Sequence, residues 1–220
     1  IKYFKKMKLK LDFVTKVPKV AKDNEIILLN NKTTQNKIVK SLNKSIFSNK
    51  LFLERKFLIQ NINDKTYIFV NCIKSKTSLD FEKIGSNLYI FLKNNKIDKS
   101  FFDPNSSNIT NVQLEKFLHG AQLKSYEFDV YKTDRSKISK INLNVVGNKI
   151  KKTNLLRDKL KSLLEGVFLT RDLVSEPGNI LHPDEYARRI AKLRKFGLKV
   201  TVYDQKKLKK MGMNALLGVG

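Results

Sequence analysis

The residues that could do chemistry here are few and scattered. They are two histidines, His119 and His182, one cysteine, Cys72, and five carboxylates towards the C-terminus: Asp172, Glu176, Asp184, Glu185 and Asp204. A metal centre or a general acid–base pair needs such groups to converge from a few fixed spacings. Neither histidine has a second His or a Cys at ligand spacing. No Gly-rich phosphate loop, nucleophile elbow or zinc motif appears. Cys72 is the only cysteine, so an intrachain disulfide and a Cys-cluster zinc site are both excluded. It sits in the apolar run Tyr67–Ile73 and reads as a buried core thiol. Helix ends account for the carboxylates, which suit caps and first turns. His119 precedes Gly120 and reads as a helix-end cation facing the dipole. His182 precedes Pro183 and reads as a turn residue. The sequence therefore assigns no catalytic, metal-ligating or cofactor-binding residue within this chain.

The elements around these groups follow from apolar periodicity. Lys8–Val14, Glu25–Leu29, Leu51–Ile59, Thr66–Ile73, Ile97–Phe102, Glu127–Val130 and Lys140–Val146 read as strands. A turn is expected at Asn61–Asp64. Thr34–Leu42, Ser78–Asn94 and Asn111–Gln122 read as helices, and Asp103–Ser107 as a loop. Thr153 to Val174 is one long amphipathic helix that Ser175-Glu176-Pro177-Gly178 breaks, because proline cannot continue the hydrogen-bond ladder. Asn179 could bond its own backbone in that turn. Pro183 starts a further helix, Gly197 ends it, Leu198–Tyr203 alternates like a strand, Asp204 caps Gln205–Lys210, and Ala215–Val219 reads as a strand start. Strands alternating with helices predict an α/β fold. Residues 7–150 are expected to form a first domain, 151–175 a linker helix, and 176–220 the beginning of a second α/β domain.

The chain has 220 residues, with 45 Lys+Arg against 20 Asp+Glu and a formal net charge of +25. That charge fits a nucleic-acid or polyanion binder. It also fits compositional drift from AT-rich coding DNA, since Lys far outnumbers Arg and the lysines are not interleaved with aromatics as a stacking groove requires. Weak, salt-sensitive polyanion binding is expected either way. No apolar run reaches the roughly 20 residues of a membrane span, and no signal-peptide pattern follows the basic start, so a cytoplasmic protein is expected. The chain opens on Ile1, with MKLKLDFV beginning at Met7. Met7 is the expected true start, and the LLGVG ending reads as cut.

Two segments carry a family resemblance. Arg171-Asp172-Leu173-Val174-Ser175-Glu176-Pro177-Gly178-Asn179, Pro183, Tyr186-Ala187, Val200–Asp204 and Met211–Gly220 resemble the opening of the catalytic domain of leucyl (cytosol) aminopeptidases, a dinuclear-metal family. His119–Thr133, "HGAQLKSYEFDVYKT", resembles a segment near the end of that family's N-terminal domain. The resemblance implies a macro-like mixed-sheet N-terminal domain, a linker helix and the start of a catalytic domain. It implies an enzyme that releases N-terminal residues from peptides, uses two divalent metal ions (manganese or zinc) and assembles as a homo-hexamer. It also implies that the metal ligands, a Lys and several carboxylates, fall in segments resembling "vGKG-tFDsGG" and "NTDAEGRL", neither of which this sequence contains. An inactive N-terminal fragment is the resulting expectation, with DNA or polyanion binding through the basic first domain as the alternative. ADP-ribose binding by a macro-like fold is a third option. Asn71-Cys72-Ile73, where the family has a Gly-rich turn, argues against it.

Overall fold

The computed structural model describes residues 7–16, 24–30, 55–62, 64–107, 109–133, 140–147 and 155–219. The helix expected at Thr34–Leu42, the start of the strand expected at Leu51–Ile59, and Thr153 lie outside these residues. The chain divides into two compact units, Ile1–Phe168 and Leu169–Gly220.

In the first unit, β1 (Leu9–Val14), β2 (Asn24–Leu29), β3 (Phe57–Ile62), β4 (Lys65–Asn71), β5 (Lys99–Phe102) and β6 (Ile141–Val146) form one sheet in the order β1-β6-β5-β2-β4-β3. Every pairing is parallel except β3 with β4, which is antiparallel. β2 is a continuous apolar run because it is central and buried on both faces. On one face, Ile26 and Leu28 join Ile68, Val70, Phe102, Leu143 and Val145 in the main core. On the other, Ile27 and Leu29 pack with Phe69. The β3–β4 hairpin is tighter than expected, with strand pairing reaching Ile62 and Lys65. Asp64 closes it at φ 59°, a left-handed conformation that Asp tolerates through local bonding.

Two helices cover the main core: α1 (Ser78–Asn94) and α3 (Asn111–Lys124). Each starts at a reciprocal cap. Thr77 accepts from the Asp80 N–H at 3.2 Å while Asp80 accepts from the Thr77 N–H at 2.8 Å. Those bonds hold the Asp80 carboxyl below its usual range. Thr110 and Gln113 repeat the pattern at 3.2 and 2.9 Å. The two helices cross backbone to backbone. A Cβ on Gly85 would lie 1.8 Å from the Phe117 carbonyl oxygen, and one on Gly120 would lie 1.9 Å from the Glu82 carbonyl oxygen.

Two expectations in this unit are corrected. Asp103–Ser107 is not an open loop: Pro104–Ser107 forms a single helical turn, α2. Asp103 precedes a proline and accepts from Asn105 and Ser106, so it acts as a cap. The Ser107 hydroxyl then accepts from the Leu28 N–H at 2.9 Å, tying the turn to β2. Glu127–Val130 is not a strand. Just ahead of β1, the Lys8 N–H donates to the Ser125 carbonyl and Met7 forms an isolated bridge with Tyr126. The chain then turns at Asp129–Lys132, and its aromatic rings pack instead of pairing: Tyr126 on Phe168 and Phe128 on Tyr131.

Helix α4 (Leu155–Ser175) buries Leu160, Leu164 and Phe168 and runs past the boundary between the units. The second unit continues with α5 (Pro183–Ala191), a 3-10 turn (Lys192–Phe196), α6 (Gln205–Lys210) and α7 (Asn214–Leu217). Gly197 ends the 3-10 turn at φ 83°, as its position after the last periodic residue requires. None of these four elements contains a buried residue. The strands expected at Leu198–Tyr203 and Ala215–Val219 do not form. A strand is defined by its ladder, and the described residues of this unit place no partner beside Leu198–Tyr203. The Val200 carbonyl is taken instead by the Arg194 guanidinium at 2.8 Å. Ala215–Leu217 belongs to α7, whose turn closes by a bond from the Gly218 N–H to the Asn214 carbonyl.

The glycine contacts are testable. Gly120→Ala is expected to cost about 2 kcal/mol or more, because backbone rather than a flexible side chain must move. Gly166→Ala, with nothing within 4 Å of the added Cβ on exposed α4, is expected to stabilise by about 0.5–1 kcal/mol. Urea-unfolding midpoints of both variants check the pair.

Candidate functional site

The second unit places its acids at a turn and a helix start. Pro177 ends α4, and its carbonyl accepts from the Ile180 and Leu181 N–H groups, both at 2.9 Å. Asn179 is exposed in that turn, and His182 is the N-terminal cap residue of α5 with no side-chain capping bond. Arg189 reaches back across the break. It donates to Glu176 at 3.1 Å and to Glu185 at 2.7 Å, while Arg188 donates twice to Glu185 at 2.6 Å. The paired guanidinium bonds, Arg188 first, hold the Glu185 carboxyl down at about 2. Asp204 accepts from the Lys207 N–H at 2.8 Å and caps α6 as expected. Asp172 is buried in the last turn of α4, and Asp184 is exposed in the first turn of α5.

A two-metal centre needs carboxylates turned towards a shared ion. Here Glu176 and Glu185 are turned towards arginines and Asp204 towards a helix N-terminus. Among the described residues, no three His, Cys, Asp or Glu side chains stand where they could hold a metal ion. The donors present do not fit such a group. The Glu176-Pro177-Gly178-Asn179 break is a clamped turn.

The first unit holds the more unusual chemistry. His119 is not at a helix end: α3 continues to Lys124, and the imidazole is 3% exposed. Its Nδ1 lies 3.5 Å from a Glu82 carboxylate oxygen without making a hydrogen bond, and Nε2 also has no partner among the described groups. Lys116 donates to the same Glu82 oxygen at 3.1 Å. Burial lowers the His119 pKa, against the pull of Glu82. Beside it, Glu115 is buried and accepts from the Arg157 guanidinium at 2.7 and 3.2 Å. That guanidinium also stacks on Phe13, 4.0 Å from the ring centroid. Cys72 is the buried thiol expected, and burial pushes it up to about 12, far from a reactive thiolate. The Glu115–Arg157 pair and the buried setting of His119 were not legible in the sequence. The partners lie 42 residues apart, and only an isolated glycine inside a helical pattern hinted at close packing.

Comparison with known proteins addresses the resemblance directly. Residues 168–220 match the model described as "Cytosol aminopeptidase family, catalytic domain". A protein of Phytoplasma mali named "Probable cytosol aminopeptidase" is 41% identical over 124 residues, which cover 54% of this chain and 25% of that protein. A protein of the same name from Sinorhizobium fredii is 35% identical over 149 residues, covering 65% of this chain and 30% of that protein. Over these stretches the chain is similar to the cytosol aminopeptidase family, and residues 168–220 to its catalytic domain. The matched stretch spans less than a third of the length of either relative. A leucine aminopeptidase mutant from tomato superposes with a TM-score of 0.65, covering 93% of this chain and 46% of that one. A bottromycin maturation enzyme solved in complex with Mn superposes at 0.59 over 87% and 40%. At 14% and 17% identity these two establish a common fold and nothing further. The mixed six-stranded α/β sheet agrees with the fold expected of the family's N-terminal domain. Among the described residues no helix is long and apolar enough to cross a membrane.

The burial of His119 sets a pH dependence. Its folded pKa lies below the unfolded value of about 6.5, so the folded state binds fewer protons than the unfolded one in the interval between them. The stability it supports is complete above that unfolded value and falls as pH drops through the folded one. The wild-type chain is therefore expected to lose stability relative to His119→Leu between pH 7.5 and pH 5. Parallel urea-unfolding midpoints at the two pH values would contradict this.

Proposed function

We propose that this chain is the N-terminal region of a metal-dependent cytosol aminopeptidase. In this reading the first unit is a macro-like domain, α4 the link, and the second unit the entry to the catalytic domain. The observation that carries it is the family's catalytic-domain match at residues 168–220, continuous through α4 with an α/β unit ahead of it. The whole enzyme would release N-terminal amino acids from peptides, as a homo-hexamer in the cytoplasm. Two divalent ions, manganese or zinc, would supply the Lewis-acid and hydroxide chemistry. A solved relative in complex with Mn supports metal use in the family's fold.

This chain's own residues serve structure in that scheme. Arg189 clamps Glu176 to Glu185 and so fixes the angle at which the chain leaves the Pro177 turn. The chain alone is expected to be inactive. Incubated with Leu-p-nitroanilide and added Mn²⁺ or Zn²⁺, it should give no release above the metal-only blank. Saturable hydrolysis by the purified chain would overturn the expectation that it is inactive on its own.

The net charge of +25 supports a second reading, in which the basic first domain binds nucleic acid. Affinity for duplex DNA measured against salt separates sequence-selective binding that persists at physiological ionic strength from counterion-driven binding that disappears. The second outcome is expected.

A further inference from the structure

Leu198–Tyr203, LKVTVY, lies between Gly197 and Asp204, the cap of α6. In an extended chain its alternation puts Leu198, Val200 and Val202 on one face and Lys199, Thr201 and Tyr203 on the other. Val200, Thr201, Val202 and Tyr203 are β-branched or aromatic, the types that pack best on a pleated surface. Leu198 is 55% exposed and Val202 49%. Among the described residues, no backbone N–H from Leu198 to Tyr203 donates a hydrogen bond. The Val200 carbonyl alone accepts one, from the Arg194 guanidinium at 2.8 and 3.2 Å. The segment thus has strand composition, an apolar face in water and a backbone free to form a ladder. A second strand laid alongside supplies that ladder and helps to cover the face.

Two observations choose the partner. Between residues 192 and 210 stand eight lysines and arginines against one acid, Asp204. A second copy paired here would set like charges opposite one another, which is destabilising. The other observation is the mismatch between family match and core. Residues 168–220 match the family's catalytic domain, yet α5, the 3-10 turn, α6 and α7 contain no buried residue. The aligned stretches cover 25% and 30% of the two relatives. A domain buries the apolar face of each element against its other elements, so the uncovered part of the catalytic domain is the piece suited to this face.

We propose that Leu198–Tyr203 is an unpaired β-strand whose partner is a strand in the part of the catalytic domain that the relatives carry beyond the aligned stretch. Pairing turns Leu198, Val200 and Val202 into core. The proposal rests on the peptidase reading, and its test separates the two.

The test compares amide hydrogen exchange in the 220-residue chain with exchange in a chimera. The chimera joins the whole chain to the segment of the Phytoplasma mali relative that follows its aligned stretch. Amides of residues 199–203 should exchange freely in the chain alone and on the order of 100-fold more slowly in the chimera. Val200→Pro removes an N–H that bonds nothing in the chain alone. It should leave the chain's urea midpoint unchanged and abolish the protection in the chimera. If the chimera is insoluble, the two parts co-expressed as separate chains should co-purify, and Val200→Pro should prevent it. The proposal is overturned by free exchange of these amides in a folded chimera, or by an insoluble chimera whose parts also fail to co-purify. Protection in the chain alone that grows with concentration would make a second copy the partner and overturn it too. A chimera that hydrolyses Leu-p-nitroanilide with added Mn²⁺ while residues 199–203 exchange freely rejects the strand and leaves the peptidase reading standing. Protection without hydrolysis supports the strand and counts against that reading.

Discussion

The first unit depends on one close approach, the crossing of α1 over α3 at Gly85 and Gly120. Neither position has room for a Cβ, since the facing carbonyls lie under 2 Å from where it would sit. Two helices this close bury whatever flanks the contact. On α1 that is Phe81 and Leu88, with Glu82 half-buried, and on α3 it is Phe117, Leu118 and His119. The apolar members complete the main core over Ile26, Leu28, Ile68 and Val70. The polar members have no such freedom. Glu82 and His119 meet because their helices do, and the imidazole loses its water without gaining a hydrogen bond.

The two units differ in kind. The first has strands buried on both faces, reciprocal caps on both covering helices, and charge pairs that tie distant segments together, such as Lys8 with Asp129 and Arg157 with Glu115. The second is held by local bonds: the Arg189 clamp, the Asp204 cap and the Arg194 contact with Val200. It leaves Leu198, Val202, Tyr203, Met211 and Leu216 exposed. Yet it is the second unit that carries the match to the family's catalytic domain. The family match therefore falls where the chain has least core of its own.

Much of the architecture is legible from pattern alone. Ser78–Asn94 is readable because its apolar residues keep helical spacing over nearly five turns, and Glu25–Leu29 because a short run of four aliphatics has no other use than a buried strand. The Pro177 break, the Pro183 start and the Gly197 stop follow from what those residues cannot do. Legibility fails where an element's partner decides its state. Glu127–Val130 and Leu198–Tyr203 both alternate like strands, and neither finds a ladder. Asp103-Pro104 reads as a loop but caps one helical turn. The buried pairs fail for a further reason. Nothing local in Glu115 or Arg157 shows that they face each other, and Gly120 beside His119 looks like a helix stop until Gly85 is seen to need the same space.

The claim beneath all of this is that the first unit carries its own core while the second adds none. Native-state amide hydrogen exchange along the whole chain tests it most directly. Amides of β2, β4, α1 and α3, such as those of Leu28, Ile68, Leu88 and Phe117, should exchange only through global unfolding. Those of α5 and α6 should exchange on the order of 100-fold faster through local opening. Protection in Pro183–Ala191 and Gln205–Lys210 equal to that of Leu88 and Phe117 would contradict the account.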